Sequence, residues 1–214
     1  DFIFSYKVGD KVLGLAENTK IRRIIPKKLI FEKYQKEFAG NRKASFNEDI
    51  ARITITNEVS PYSLNIEEGK EVKNIFVLKL DLKKENINPA NISILSKFFE
   101  QNILFLLAYE EKGKLAIYEG KLFQTDYQAI DNLQIKIEGL NLDTIWENLV
   151  LAISGYEIEE DRNLHEQIEI EEQRKKLLKE IKKLDKQARR ESQPKKSFEM
   201  FRKIKKLEKE LEDL

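Results

Sequence analysis

Asp81-Leu82-Lys83 closes an apolar run, Ile75 to Leu82, and is followed by a helical pattern and a second apolar run from Ile103. Metal-dependent nucleases of the restriction type place an acid-x-lysine pair at such a strand end. There the acid holds a magnesium ion and the lysine steadies the attacking water. That chemistry also needs a metal-binding acid on a neighbouring strand, for which Glu58 and Glu71 are the upstream candidates. The same residues read equally as a strand running out into solvent, because short charged patterns arise freely in a chain that is 36% charged. The single histidine, His165, lies among Glu166, Glu169 and Glu171, has no second histidine with which to share a metal, and reads as a solvated helix-face residue. With no cysteine in the chain, disulfides, thiolate zinc sites, iron–sulfur clusters and cysteine nucleophiles are excluded. The eight glycines form neither G-x-G-x-x-G nor G-x-x-x-x-G-K-[ST], so no nucleotide cradle of those kinds is present. The expectation is a chain without a catalytic centre, metal or cofactor of its own, with Asp81 and Lys83 as the alternative.

A second chemistry is phosphate recognition. From Arg174 to Lys206 there are fifteen Lys/Arg against four acids, a balance of +11 in a chain whose total is +1. Most opposing acid sits just ahead, from Glu157 to Glu172, and the chain up to Gly155 is close to neutral. Lys182, Lys183, Lys186, Arg189, Arg190, Lys195, Lys196, Arg202 and Lys203 are the candidate nucleic-acid contacts, since lysine-rich faces attract phosphate by counterion release. A smaller basic feature, Lys20-Ile-Arg-Arg with Pro26-Lys-Lys, lies near the start. Phe198 and Phe201 are the only aromatics among these basic residues, too few for stacking on single strands. Charged coiled-coil faces are also commonly just solvated, so contact with DNA and contact with a protein both stay open.

These cations must be carried by helices. Leu177, Ile181, Leu184 and Ala188 recur at four, three and four residues. Met200, Ile204, Leu207, Leu211 and Leu214 do the same beyond Pro194. The periods are coiled-coil seams, and proline breaks the helix between them. So short a link predicts an antiparallel hairpin turning near Ser192 to Lys195. Its interaction seam is formed by Leu177, Ile181, Leu184, Ile204, Leu207 and Leu211. The seam is shallow, so it is expected to lean on the globular domain, a protein partner or a second copy as a homodimer.

The elements ahead of the hairpin mix both periods. Pro26 is expected at the first position of a helix, and Ser45-Phe-Asn-Glu48 reads as the capping box of another. Arg52 to Asn57 alternates as a half-buried strand, with a loop between Pro61 and Gly69, and Ile75–Leu82 is apolar enough for a central one. Asn88-Pro89 caps a helix carrying Ile92, Leu95, Phe98 and Phe99. Ile103–Tyr109 and Leu115–Tyr118 form a hairpin with Gly113 in its loop, and Leu133, Ile135 and Ile137 alternate into a last strand. Leu142 to Ile153, with Trp146, closes the domain as an amphipathic helix. The fold class is therefore α+β: a mixed-sheet domain over residues 1–155, then a basic helical hairpin over 156–214. The longest apolar run, Ile103 to Tyr109, is too short to span a bilayer, and Asp1-Phe2-Ile3-Phe4-Ser5 lacks the basic flank of a signal. No membrane contact and a cytoplasmic setting are expected.

The chain resembles the prokaryotic family catalogued as domain of unknown function 4391. The resemblance is carried by Asn18-Thr19-Lys20-Ile21 leading to Ile25-Pro26-Lys27-Lys28, and by Ser60-Pro61-Tyr-Ser-Leu-Asn-Ile66 before Ile75-Phe-Val-Leu. Ile103-Leu-Phe-Leu-Leu, Leu142-Asp-Thr-Ile-Trp146 and the closing hairpin complete it. Asp1 to Gly14 extends ahead of the family start. The resemblance implies a setting rather than a reaction: genes of this family accompany DNA methyltransferases and helicases of restriction-like or antiphage systems. It thus implies an accessory subunit that docks a helicase or methyltransferase, with DNA or a protein partner met by the hairpin.

Overall fold

The computed structural model describes residues 12–157 and 163–214. The stretch ahead of Val12 and the acids Glu159, Glu160 and Asp161 lie outside them, and with them most of the Asp1–Gly14 extension. The chain divides into two compact units, Asp1–Gly155 and Tyr156–Leu214. In the first, the order is β1 (Lys20–Ile24), α1 (Lys27–Lys33), α2 (Arg42–Asp49), β2 (Ile50–Val59), α3 (Pro61–Leu64) and β3 (Ile75–Leu82). Then follow α4 (Pro89–Phe99), β4 (Asn102–Tyr109), β5 (Lys112–Glu119), β6 (Lys121–Gln124), β7 (Gln128–Ala129) and α5 (Leu142–Ser154). The second unit consists of α6 (Leu164–Ala188) and α7 (Pro194–Glu212).

The sheet is mixed and follows the order β1-β2-β3-β4-β5-β6, with β7 also on β5. Among the described strands only β3 and β4 run parallel, because α4 carries the chain from the end of one to the start of the other. Successive strand residues point to opposite faces. On β3 and β4 this sends Leu78, Leu80, Leu82, Ile103, Phe105 and Leu107 into a core shared with Ile30, Phe46, Ile92 and Leu95 of the helices. Residues of the opposite pleat, Val77, Leu104, Leu106 and Ile117, are buried as well, and α5 packs against β5 and β6. Being buried on both faces explains why these strands read as continuous apolar runs. Among the described residues no helix is long and apolar enough to cross a membrane.

Several local expectations change. Pro26 is the cap before α1 rather than its first residue. Helix α2 starts at Arg42, so Ser45 lies inside it and caps nothing. The capping box is instead at Ser60 and Ser63, which exchange backbone and side-chain bonds of 3.1 and 2.9 Å and fold the expected loop into α3. Tyr109 pairs with Lys112, so the β4–β5 turn is Glu110-Glu111 and Gly113 lies in the strand. A Cβ at Gly113 would meet Ile130 and Leu133 side chains at 2.9 Å, so glycine there admits the chain crossing above. That crossing chain is the Leu133–Ile137 stretch. It alternates in burial but is not a strand, since β5 is already paired on both edges, by β4 on one and by β6 and β7 on the other.

Candidate nucleic-acid interface

Asp81 and Lys83 stand where β3 ends. Asp81 is opposite Arg52 of β2 and Ala108 of β4, and its Oδ1 meets Lys79 Nζ at 2.9 Å, two residues along the same face. Neither upstream acid reaches it. Glu58 pairs with Phe76, five residues back along β3 and so about 17 Å away. There it lines an apolar cleft with Arg23, Leu29, Phe98 and Phe99. Glu71 precedes β3 altogether. Its N–H donates to Asp143 Oδ1 at 3.1 Å.

The acid that does come to this strand end is Asp49, the last residue of α2, whose carbonyl accepts the Lys83 N–H at 2.9 Å. Its side chain is fully buried and already engaged. Oδ1 meets Lys84 Nζ at 2.6 Å, while Oδ2 accepts from the Asn88 N–H at 2.9 Å and from Asn91 Nδ2 at 2.7 Å. Asp49 therefore ties α2, the end of β3 and the start of α4 together. It also raises the Lys84 ammonium above the ordinary lysine range, through the hydrogen bond first and their opposite charge second. Nearby, Lys27 Nζ donates to Asn47 Oδ1 at 3.1 Å and to the Ile50 carbonyl. Burial, with the charge of Lys83 as a lesser cause, pushes that amine down. Among the described residues no three His, Asp or Glu side chains gather as a metal would require. Asp49 escaped the sequence reading. Its signal was an acid immediately before an alternating strand.

The hairpin carries the larger charged surface. Asn163 and Glu166 form a reciprocal capping box at the start of α6, with bonds of 3.0 and 3.1 Å. Pro194 opens α7 as its first residue, so the chain turns between Arg189 and Gln193. At the turn, Ser197 Oγ donates to the Ala188 carbonyl at 3.0 Å, satisfying an acceptor that the helix end leaves open. Farther out, Lys203 Nζ meets Glu180 at 2.9 Å. The two contacts together fix the antiparallel register of the arms.

That register places the seam as its spacing predicts. Ala188 and Ile204 are buried, while Leu177, Ile181, Leu184, Leu207 and Leu211 are half-buried. All nine candidate phosphate contacts are exposed. Arg189 Nε is held by Asp185 at 3.0 and 2.9 Å, and Lys203 by Glu180. Lys182, Lys183, Lys186, Arg190, Lys195, Lys196 and Arg202 have no ion pair among the described residues. On α6 the positions 175, 179, 182 and 186 are lysines spaced at helical intervals, opposite the seam. The cations without an ion pair thus run from Lys182 to Arg190 on one arm and from Lys195 to Arg202 on the other, about 10–12 Å along each. The hairpin can do electrostatic work without covalent chemistry.

No curated protein and no solved structure shows significant similarity to the chain. One family model does match, over residues 13–211, from just ahead of β1 almost to the end of α7. The chain therefore belongs to the family described as Domain of unknown function (DUF4391).

Proposed function

We propose that this protein is a non-catalytic accessory subunit of a DNA-handling complex, of restriction-like or antiphage type, that works with a helicase or a DNA methyltransferase in the cytoplasm. The observation that supports this reading most directly is the row of cations without an ion pair on the hairpin, on the side opposite a shallow apolar seam. The first unit supplies a rigid body for docking, and the hairpin supplies the contact with DNA or with the protein partner.

Salt titration of DNA affinity tests the reading. Each phosphate neutralised contributes about −0.9 to the log–log slope. Charge reversal at Lys182, Lys183, Arg189 and Arg190 is expected to flatten that slope and to weaken every DNA sequence alike. If the tail serves a protein instead, DNA affinity is weak at physiological salt, and truncation after Gly155 releases the co-purifying helicase or methyltransferase. A chain that shows neither property sinks the proposal.

The second reading, a magnesium-dependent nuclease at Asp81 and Lys83, is favoured by one observation: Asp49 ends at the same place. Against it, the Asp49 carboxylate is fully buried and engaged with Lys84, Asn88 and Asn91. DNA cleavage with magnesium or manganese, abolished by Asp81→Ala or Lys83→Ala, would reverse this ranking.

A further inference from the structure

The cleft beside Glu58 has a volume of about 540 Å³, within the range of small-ligand sites. Every residue that lines it belongs to the first unit, on the side of the sheet where α1 and α4 pack. Ile25 and Ile55 are its buried part, and the rings of Phe76, Phe98 and Phe99 are half-buried around them. Ile21 and Leu29 stand at its margin, 39% and 48% exposed. Apolar surface left partly in water favours a ligand whose apolar body covers it.

Four polar side chains line the same cleft: Arg23, Glu58, Asn74 and Gln101. Among the described residues none of these side chains has a hydrogen bond or an ion pair. Glu58 and Asn74 are half-buried, where a polar group that loses water without gaining a partner costs free energy. Arg23 and Glu58 carry opposite charges in one cleft, yet they do not pair with each other. Their spacing follows from the sheet. Arg23 stands opposite Ile55, which faces Leu78, while Glu58 faces Phe76, two rows along β3. At about 3.3 Å per row and about 4.8 Å between strands, the two Cα atoms lie about 8 Å apart. An amino acid whose carboxylate meets a guanidinium and whose ammonium meets a carboxylate spans about the same distance.

We propose that this cleft binds a free α-amino acid with a large apolar side chain. Arg23 donates its fork of N–H groups to the ligand carboxylate, Glu58 accepts from the ligand ammonium, and the ligand side chain lies among Phe76, Phe98 and Phe99. Charge complementarity selects this class of occupant. A ligand with a single charge would satisfy Arg23 or Glu58 and leave the other without a partner, and a phosphate would meet the Glu58 carboxylate as a like charge. The inference goes beyond the DNA-handling reading and uses no residue of the hairpin.

A chemical-shift titration of the isotope-labelled full chain tests it, with four probes: L-phenylalanine, phenylpropionate, phenylethylamine and N-acetyl-L-phenylalanine amide. The second lacks the ammonium, the third the carboxylate, and the fourth carries neither charge, as the interior of a peptide would. L-phenylalanine is expected to bind with a Kd on the order of 100 µM and to shift the amides of β1 and of Phe98 to Gln101. The other three are expected to bind about tenfold more weakly or worse. Arg23→Gln is expected to weaken L-phenylalanine about tenfold and to leave phenylethylamine unchanged, and Glu58→Gln to weaken L-phenylalanine equally and to leave phenylpropionate unchanged. Both variants keep the fold, read by circular dichroism, because neither side chain has a partner to lose. No shift with L-phenylalanine at millimolar concentration, shifts confined to another part of the chain, or variants that bind it as the parent does would overturn the inference. Equal binding of the N-acetyl amide would overturn it too, leaving an apolar peptide groove in its place. DNA affinity, measured on the same variants, reads the other proposal separately.

Discussion

In the first unit Phe46, Leu78, Leu80, Ile92, Leu95 and Phe105 are completely shielded from solvent, whereas along the seam of the second only Ala188 and Ile204 are buried. The strands and helices of the first unit close around one another from both faces of a sheet, so its core side chains find neighbours on every side, while Ile24, Leu29 and Leu140 outside the core stay exposed. Two helices side by side can enclose only the line between them. The same residue types, Leu and Ile, therefore do different work: in the sheet they fix the fold, and in the hairpin they leave surface for something else to cover. A unit whose core residues are already satisfied is suited to be a platform, and one whose seam residues are half-satisfied is suited to bind.

Core truncations break this comparison most sharply if it is wrong. Phe105→Ala is expected to cost about 3–5 kcal/mol in denaturant unfolding, as a cavity in close packing. Leu207→Ala, half-exposed on the seam, should cost only about 1 kcal/mol. Equal losses would show that the hairpin is as tightly packed as the sheet. Next in size is Asp49→Ala, expected at about 3 kcal/mol, because it leaves the buried Asn91 amide and the Asn88 N–H without their acceptor. A near-neutral Asp49→Ala would mean that this carboxylate is held for something other than stability, and would strengthen the nuclease reading.

Asp143 sharpens the comparison through pH. Its carboxylate accepts the N–H groups of Val72 at 2.7 Å, Lys70 at 2.6 Å and Glu71 at 3.1 Å, stapling the start of α5 to the turn ahead of β3. The Val72 bond is the main cause that holds its pKa below the usual carboxylate range; burial, next in size, pushes upward, and the Lys70 and Glu71 bonds and the charge of Lys73 add to the lowering. A lowered folded-state pKa means that the stabilisation is present above the unfolded value, about 3.9. It is lost as pH falls below that value toward the folded one. Asp143→Asn is expected to cost about 1–2 kcal/mol at neutral pH, little enough because the site is partly solvated. The gap to the wild type should close in acid unfolding below about pH 4. A gap constant with pH would refute the staple.

Where a segment's fate was decided locally, the residues announced it. Asn88 caps α4 by accepting the Ala90 N–H at 3.0 Å, and proline follows it. Ile75–Leu82 and Ile103–Tyr109 are apolar on both pleats because both faces are covered, and Pro194 breaks two seams of matching period. What remained illegible was decided by distant neighbours. Strand β1 has no apolar alternation because it is an edge with four of its five residues exposed. Leu133, Ile135 and Ile137 alternate correctly for a strand, yet β5, over which they cross, is already paired on both of its edges. The site followed the same rule. The hairpin cations were visible as a run of like charge, while Asp49, whose partners Lys84, Asn88 and Asn91 come from the far side of β3, had only its position before a strand to mark it.

The smallest expected effect lies at the hairpin turn. Ser197 Oγ donates to the carbonyl of Ala188, the last residue of α6, at 3.0 Å. Ala188 is itself buried, at 2% exposure, so water is poorly placed to take over that acceptor. Ser197→Ala removes one neutral hydrogen bond at a helix end, worth about 0.5–1.5 kcal/mol. Global unfolding, dominated by the first unit's core, should barely register it. Amide hydrogen exchange resolves it, because local opening of the hairpin is expected to accelerate about tenfold at most, which is about 1.4 kcal/mol, while exchange in β3 and β4 stays unchanged. If protection in those strands fell in step with the hairpin, the two units would unfold as one, and the contrast between a satisfied platform and a half-satisfied binding arm would fail with it.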